Sequence, residues 1–265
     1  MKILTTYLIL LLILISNLKA AENLKVEPPN WWTHFNDRKL ELMIYSEKIG
    51  NSNILKIFDS NREACNSIKI IDLKKTENKN YLFVKLLLLN DLKPGEYIFN
   101  LSGPSIQNSF NYTFYGSEKD RYYANGFNSS DVIYLLMPDR FSNGDSNNDF
   151  IQGLRAGTDR TKPGLRHGGD FQGIINHLDY LKELGVTAIW MTPVFINDMP
   201  EIAGGFGDHV YGAYHGYAAT DFYQTDPRFG TNQKYKELVE TAHEKGLKVV
   251  MDIIHNHSGD KHWWI

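Results

Sequence analysis

From Ser130 to Ile254 the chain alternates between two hydrophobic rhythms, and this alternation limits the possible folds more than any other feature. Asp131-Val132-Ile133-Tyr134-Leu135-Leu136-Met137, Val186-Thr187-Ala188-Ile189-Trp190-Met191 and Lys248-Val249-Val250-Met251-Asp252-Ile253-Ile254 are short, nearly unbroken apolar runs, the pattern of buried strands. Between the first two, Phe171, Ile174, Ile175, Leu178, Leu181 and Leu184 recur at helical spacing, and Gly185 follows as a C-terminal cap. Before the third, Tyr235, Leu238, Val239 and Ala242 repeat that spacing and Gly246 ends it. Strand, helix, strand, helix, strand predicts a parallel sheet with crossover helices. A closed (β/α)8 barrel takes about 250 residues. The pattern therefore predicts either a small open sheet or a TIM barrel truncated after strand 3.

The front of the chain has a different rhythm. Leu40–Tyr45, Ile54–Phe58, Tyr81–Leu86 and Tyr97–Phe99 are short strand-like runs separated by Asn, Gly, Pro and Lys clusters, with a turn at Pro94-Gly95. Such spacing predicts an immunoglobulin-like β-sandwich. The glycine and polar residues of 116–129 read as a linker. The expected organisation is a signal peptide at 1–21, a β-sandwich domain at 22–118 and an α/β domain at 130–265.

The signal peptide rests on Lys2, the apolar run Ile3–Ile15 and the small pair Ala20-Ala21. The run is shorter than the roughly 20 residues a membrane span needs. It predicts a secreted or periplasmic protein with no membrane attachment after cleavage. A net charge of −3, with acids and bases mixed, argues against a nucleic-acid partner. The single cysteine, Cys65, excludes an internal disulfide and reads as a buried small hydrophobe. Fifteen Tyr, fourteen Phe and five Trp suit either core packing or stacking on sugar rings.

Three clusters carry candidate chemistry. Asn143, Asp145, Asn148 and Asp149 crowd oxygen-bearing side chains into one loop. Asp170 and a carbonyl near Gly168 could complete a Ca²⁺ shell of six to eight hard oxygens, although a solvated Asn/Asp turn has the same composition. Leu154 stands where an EF-hand needs its bidentate Glu, so this is not an EF-hand. His215 and Tyr217 sit in a glycine-broken loop after the second α/β strand. Asp252 lies within an apolar run, where burial without a partner is costly, and His257 follows it.

Four of these segments, in this order, resemble the α-amylase family of glycoside hydrolases. Asp131-Val132-Ile133-Tyr134 leading to Pro138-Asp139-Arg140-Phe141-Ser142-Asn143-Gly144-Asp145 resembles the first barrel strand and loop. His167-Gly168-Gly169-Asp170-Phe171-Gln172-Gly173-Ile174 resembles the next loop and first helix. Tyr214-His215-Gly216-Tyr217 with Asp221-Phe222-Tyr223 resembles the substrate loop after strand two, and Asp252-Ile253-Ile254-His255-Asn256-His257 the end of strand three. Val26-Glu27-Pro28-Pro29-Asn30-Trp31-Trp32 and Leu40–Tyr45 resemble the N-terminal sandwich of the cyclomaltodextrinase and neopullulanase branch, with Thr33-His34 where that branch usually has Gly-Met.

The resemblance implies a retaining hydrolase of α-1,4-glucosidic bonds in maltodextrins, cyclodextrins or pullulan. It implies a structural calcium at Asn143, Asp145, Asn148, Asp149, Gly168 and Asp170. Tyr217 becomes the stacking tyrosine at the cleavage subsite, His215 and His257 bond sugar hydroxyls, and Asp252 pairs with an arginine beside the nucleophile. Enzymes of this branch often form homodimers through the N-terminal domain. The family places its nucleophile, acid and supporting carboxylate on strands four, five and seven, so no catalytic residue is expected within this sequence and the chain alone is expected to be inactive. A non-catalytic glycan-binding protein and a nonproductive truncated product are the other readings of the same residues.

Overall fold

The computed structural model of the 265-residue chain describes residues 24–116, 126–203 and 210–265. The expected signal peptide lies outside the described residues, as does most of the expected linker. The chain divides into two compact units, Met1–Arg121 and Tyr122–Ile265.

In the first unit the strands are β1 (Lys25–Glu27), β2 (Asn30–Trp32), β3 (Lys39–Tyr45), β4 (Ile54–Phe58), β5 (Ile68–Lys75), β6 (Tyr81–Leu88), β7 (Gly95–Gly103) and β8 (Ile106–Tyr115). They form two four-stranded sheets, ordered β1-β3-β6-β5 and β2-β8-β7-β4. Alternation decides which side chains turn inward, because successive strand residues face opposite sides. Leu40, Leu42 and Ile44 of β3 and Leu82, Val84, Leu86 and Leu88 of β6 face inward on one sheet; Leu55, Ile57, Tyr97, Phe99, Leu101, Tyr112 and Phe114 do so on the other, and all meet in one core. Burying each such aliphatic side chain contributes about 1.5–3 kcal/mol. Pro28 and Pro29, which have no N–H for a sheet ladder, separate β1 from β2 where the chain passes from one sheet to the other. Cys65 differs from expectation: it is half-buried at the margin of this core, and burial raises its thiol pKa.

The second unit begins with β9 (Ile133–Leu136) and a single helical turn, α1 (Pro138–Phe141). The helix expected over 171–184 is two short helices, α2 (Phe171–Asn176) and α3 (Leu178–Glu183). They break at His177, at φ −117° and ψ 13°, whose Nδ1 lies 2.8 Å from the Gly173 carbonyl. Then come β10 (Ala188–Met191), the two short pairs β11 (Phe195–Ile196) with β14 (Asp221–Thr225) and β12 (Ile202–Ala203) with β13 (Val210–Tyr211), helix α4 (Asn232–Glu244), and β15 (Lys248–Met251). Thr231 Oγ caps α4 by accepting from the Lys234 N–H at 3.1 Å.

β9, β10 and β15 form a parallel sheet in the order β15-β10-β9, with Ala188 opposite both Ile133 and Lys248. Leu136, Ile189 and Met191 pack under Phe171, Ile174, Leu178, Leu181, Leu238 and Ala242. The other face carries Ile133, Leu135 and Trp190, which are 41%, 58% and 39% exposed. Parallel sheets are ordinarily covered on both faces. Helices on one face only, with large apolar side chains on the other, are the pattern of a barrel wall, whose inner face packs against the remaining strands. The fold class is thus a mostly β N-terminal domain followed by the start of a (β/α)8 catalytic barrel. Among the described residues, no helix is long and apolar enough to cross a membrane.

Candidate functional site

Barrel enzymes build their sites from loops at the C-terminal strand ends. Here those loops bring the four sequence-predicted sugar contacts together. Asp252 was expected inside a strand, but β15 ends at Met251 and Asp252 opens the following loop, half-buried. Its Oδ2 accepts from Tyr217 Oη at 2.8 Å and from Trp190 Nε1 at 3.2 Å. His257 Nε2 lies 2.8 Å from the Tyr217 carbonyl, which can only accept, so this nitrogen carries the proton. The Tyr217 N–H donates to His215 Nδ1 at 3.0 Å, and the two rings stack at 5.8 Å and 28°. Gly216 makes this turn possible: its φ is +88°, and a Cβ there would lie 2.0 Å from the Pro193 carbonyl oxygen.

Electrostatics fix the protonation states. Burial, and then the charge of Arg166, pull the His215 pKa below its ordinary value, so the imidazole is neutral near pH 7. Burial, and then the bond to Asp252, raise the Tyr217 pKa, so the phenol keeps the proton it donates. Tyr217 remains 38% exposed. The site therefore offers one open aromatic face, Tyr217, joined through the Asp252 carboxylate to Trp190, with a neutral imidazole stacked alongside. Such a set can hold the apolar face of a pyranose while polar groups meet its hydroxyls.

Trp190 was missed by sequence reasoning because its run reads as core. The support beneath the loop was missed as well. Asp226 is fully buried between Arg228 Nη2 at 2.7 Å and Arg166 Nη2 at 3.1 Å. Burial alone would raise its pKa, but the two guanidiniums outweigh that and hold it at about 2. Arg228 also donates to the carbonyls of Ala156 at 2.8 Å and Asn197 at 2.9 Å. The Asn197 N–H donates to Asp226 at 3.2 Å, and its side-chain amide donates to the carbonyl of Ala213, two residues before His215. One buried carboxylate thus ties three loops to the cleft.

The oxygen-rich loop forms a second cluster. Fully buried Asp170 caps α2 by accepting from the Gly173 N–H at 2.6 Å. It also accepts from Gly144 N at 3.1 Å, Asp145 N at 2.8 Å and Asn148 Nδ2 at 3.3 Å. Asn143 Nδ2 donates to Asp149 Oδ1 at 2.6 Å. Gly168, at φ +81°, passes so close that a Cβ would lie 2.2 Å from that same oxygen. Asn148 Oδ1 is buried without a hydrogen-bond partner. Asp145 instead turns its carboxylate to the N–H and amide of Asn147. The partnerless Asn148 oxygen is the kind of acceptor a hard cation uses, but both Asp170 oxygens are taken by N–H donors, and among the described residues no three His, Cys, Asp or Glu side chains gather as a metal site.

The second unit, which holds the cleft, matches a catalytic-domain family of glycoside hydrolases. The chain belongs to the α-amylase family: the alpha amylase catalytic-domain family matches residues 135–265, and the cyclomaltodextrinase N-terminal family matches residues 25–116. A beta/alpha-amylase of Paenibacillus polymyxa is 47% identical over 133 residues, 50% of this chain and 10% of that protein. A cyclomaltodextrinase of Thermoanaerobacter pseudethanolicus is 38% identical over 150 residues, 57% of this chain and 23% of that one. A periplasmic alpha-amylase of Escherichia coli is 38% identical over 129 residues, 48% of this chain and 19% of that protein. The solved structure of an Anoxybacillus alpha-amylase matches with 43% identity and a TM-score of 0.43, over 51% of this chain and 26% of the other. The chain thus spans between 10% and 23% of the length of these curated relatives.

Proposed function

We propose that this chain is the N-terminal portion of a secreted, retaining α-glucan hydrolase that cleaves α-1,4-glucosidic bonds in maltodextrins, cyclodextrins or pullulan. In this reading the described cleft is the sugar-holding part of the active site. The observation that carries it is the Tyr217–Asp252–Trp190 arrangement, in which one carboxylate fixes two aromatic side chains at the open strand ends.

Tyr217 stacks on the pyranose at the bond to be cleaved, and the neutral His215 and the Nε2–H tautomer of His257 meet hydroxyls. Asp252 holds Tyr217 in place and pairs with an arginine supplied from elsewhere in the barrel. A retaining mechanism needs a nucleophile and an acid/base about 5–5.5 Å apart. In this reading Asp252 positions Tyr217 and Trp190 rather than serving as the nucleophile, and the 265-residue chain alone is inactive. The exposed apolar face of the parallel sheet supports this, because further strands would cover it. Asn143, Asn148, Asp149, Gly168 and Asp170, with Asp145 after rotation, hold a structural Ca²⁺ that braces this loop against α2. Export by the N-terminal apolar segment and homodimerisation through the N-terminal domain belong to the same proposal.

The reading is tested by titrating the chain with maltoheptaose and comparing Tyr217→Ala. Binding weakened at least tenfold by the substitution supports the cleft. Equal affinities would remove Tyr217 from sugar binding and the proposal with it.

A further inference from the structure

Arg140 lies outside the set of cleft residues, yet several contacts bind it to the loop that carries them. It sits in the single turn α1 after β9, with a side chain 23% exposed. Its guanidinium carbon is 3.8 Å from the centroid of the Tyr214 ring. The negative face of an aromatic ring attracts a cation so placed, and a planar, weakly hydrated guanidinium makes this contact better than an ammonium. Two further groups hold the guanidinium there. Arg140 Nη2 donates to the Pro163 carbonyl at 2.8 Å, and Nε lies 3.4 Å from Asp139 Oδ2. Asp139 is itself fixed, being buried and accepting from the His167 N–H at 2.9 Å and the Gly168 N–H at 3.4 Å. The stretch that supplies the Pro163 carbonyl is tied to the start of the same loop. The Gly212 N–H donates to the Gly164 carbonyl at 2.8 Å, and a Cβ on Gly164 would collide with the Val210 carbonyl oxygen.

From Tyr214 the contacts run on into the cleft. The Tyr214 ring meets the His215 ring edge-on, at 5.8 Å and 66°. His215 stacks on Tyr217 and accepts its N–H, and Tyr217 Oη donates to Asp252. Residues 214–217 are therefore held at one end by Arg140 and at the other by Asp252. The Asn197 amide secures the backbone of this loop at Ala213, whereas Arg140 secures its first ring. A site whose side chains are fixed before the ligand arrives loses less entropy on binding.

We propose that Arg140 is a positioning residue for the sugar site: by clamping the Tyr214 ring it fixes the 214–217 loop, so that Tyr217 presents its open face to the ligand. Arg140 acts through Tyr214 and not on the sugar. That the ligand is a sugar rests on the function proposed above; the clamp itself does not. A cation over an aromatic face changes an equilibrium by about 2- to 30-fold, which sets the scale of the effect.

The test uses the full 265-residue chain and two readouts: maltoheptaose affinity, and hydrogen exchange at the Tyr217 amide, whose bond to His215 reports the loop. Arg140→Gln should weaken binding about fivefold and speed Tyr217 exchange by a similar factor. Exchange at the Asn197 amide, which Asp226 holds, should stay the same. Arg140→Lys should recover part of both losses. In a Tyr214→Phe background, which keeps the ring, Arg140→Gln should retain its full effect. In a Tyr214→Leu background it should add nothing, the coupling expected of two residues that act together. Losses that add in the Tyr214→Leu background, that spare the Tyr217 amide, or that reach the Asn197 amide equally overturn the proposal. A chain that binds no maltoheptaose removes the proposed function instead. The clamp is then decided by Tyr217 exchange alone: acceleration by Arg140→Gln supports it, and no change overturns it.

Discussion

Replacing Asp226 by Asn should destabilise the second unit more than any other single isosteric change. Asp226 is fully buried, and the two guanidiniums it serves are 2–3% exposed. Breaking a buried ion pair by removing one partner costs about 3–5 kcal/mol, because the other charge stays buried and uncompensated. The structure places the loss toward the upper half of that range. Arg228 would keep its two carbonyl acceptors, but Arg166, whose Nε and Nη1 already lack hydrogen-bond partners, would keep only the charge of Asp139 and the Phe229 ring at 5.3 Å. The amide of Asn197, which donates to Asp226, is the local reporter. Its hydrogen exchange should accelerate about 700- to 4,000-fold, since tenfold corresponds to about 1.4 kcal/mol. The pH dependence carries the opposite signature. A carboxylate held at about 2 stabilises the fold above the ordinary carboxylate pKa, and that contribution disappears as pH falls from about 4 toward 2. The unmodified chain should therefore lose about 2–3 kcal/mol across that window through this residue, and Asp226→Asn should lack that step. A loss under about 1 kcal/mol at pH 7, with unchanged exchange at Asn197, would refute the keystone argument.

Gly216→Ala forces a Cβ to within 2.0 Å of the Pro193 carbonyl at φ +88°; it should lower the melting temperature and weaken maltoheptaose binding at least tenfold, and retention of both would show that the loop tolerates displacement. Calcium in hundredfold excess over its dissociation constant should stabilise the chain by about 2.7 kcal/mol, and Asp145→Ala with Asp149→Ala should abolish the response; identical melting curves with calcium and with chelator would remove the metal from the account. Export should leave a mature N-terminus near Ala21 or Glu22, checked by N-terminal sequencing, and an exported protein beginning at Met1 would contradict it.

The parallel sheet was legible because its strands are apolar on both faces, and the sandwich strands because alternation exposes only every second residue. β5 was obscured: in Ile68-Lys69-Ile70-Ile71-Asp72-Leu73-Lys74-Lys75 charges interrupt the pattern, Ile70 and Ile71 are exposed, and the register shifts between Ile70 and Asp72. The break at His177 was hidden because Ile174, Leu178 and Leu181 keep a helical spacing across it while a single backbone turn departs. In the site, no spacing rule joins Tyr217 to Asp252, 35 positions apart, or Arg166 to Asp226, 60 apart. The first pair was reached through family resemblance. The second had no signal, since isolated Asp and Arg residues ordinarily read as surface. Trp190 was hidden by its own strand, whose outward face reads the same as its inward one.

The most direct test of the central claim is reducing-end release from maltoheptaose by the purified 265-residue chain, free of host amylases. The account predicts sugar binding that depends on Tyr217 and no release above buffer, because the proposed function puts the sugar-holding residues in this chain and the carboxylate pair of a retaining glycosidase on other strands. Release proportional to protein concentration would contradict it, and would mean that a carboxylate of this chain performs the chemistry.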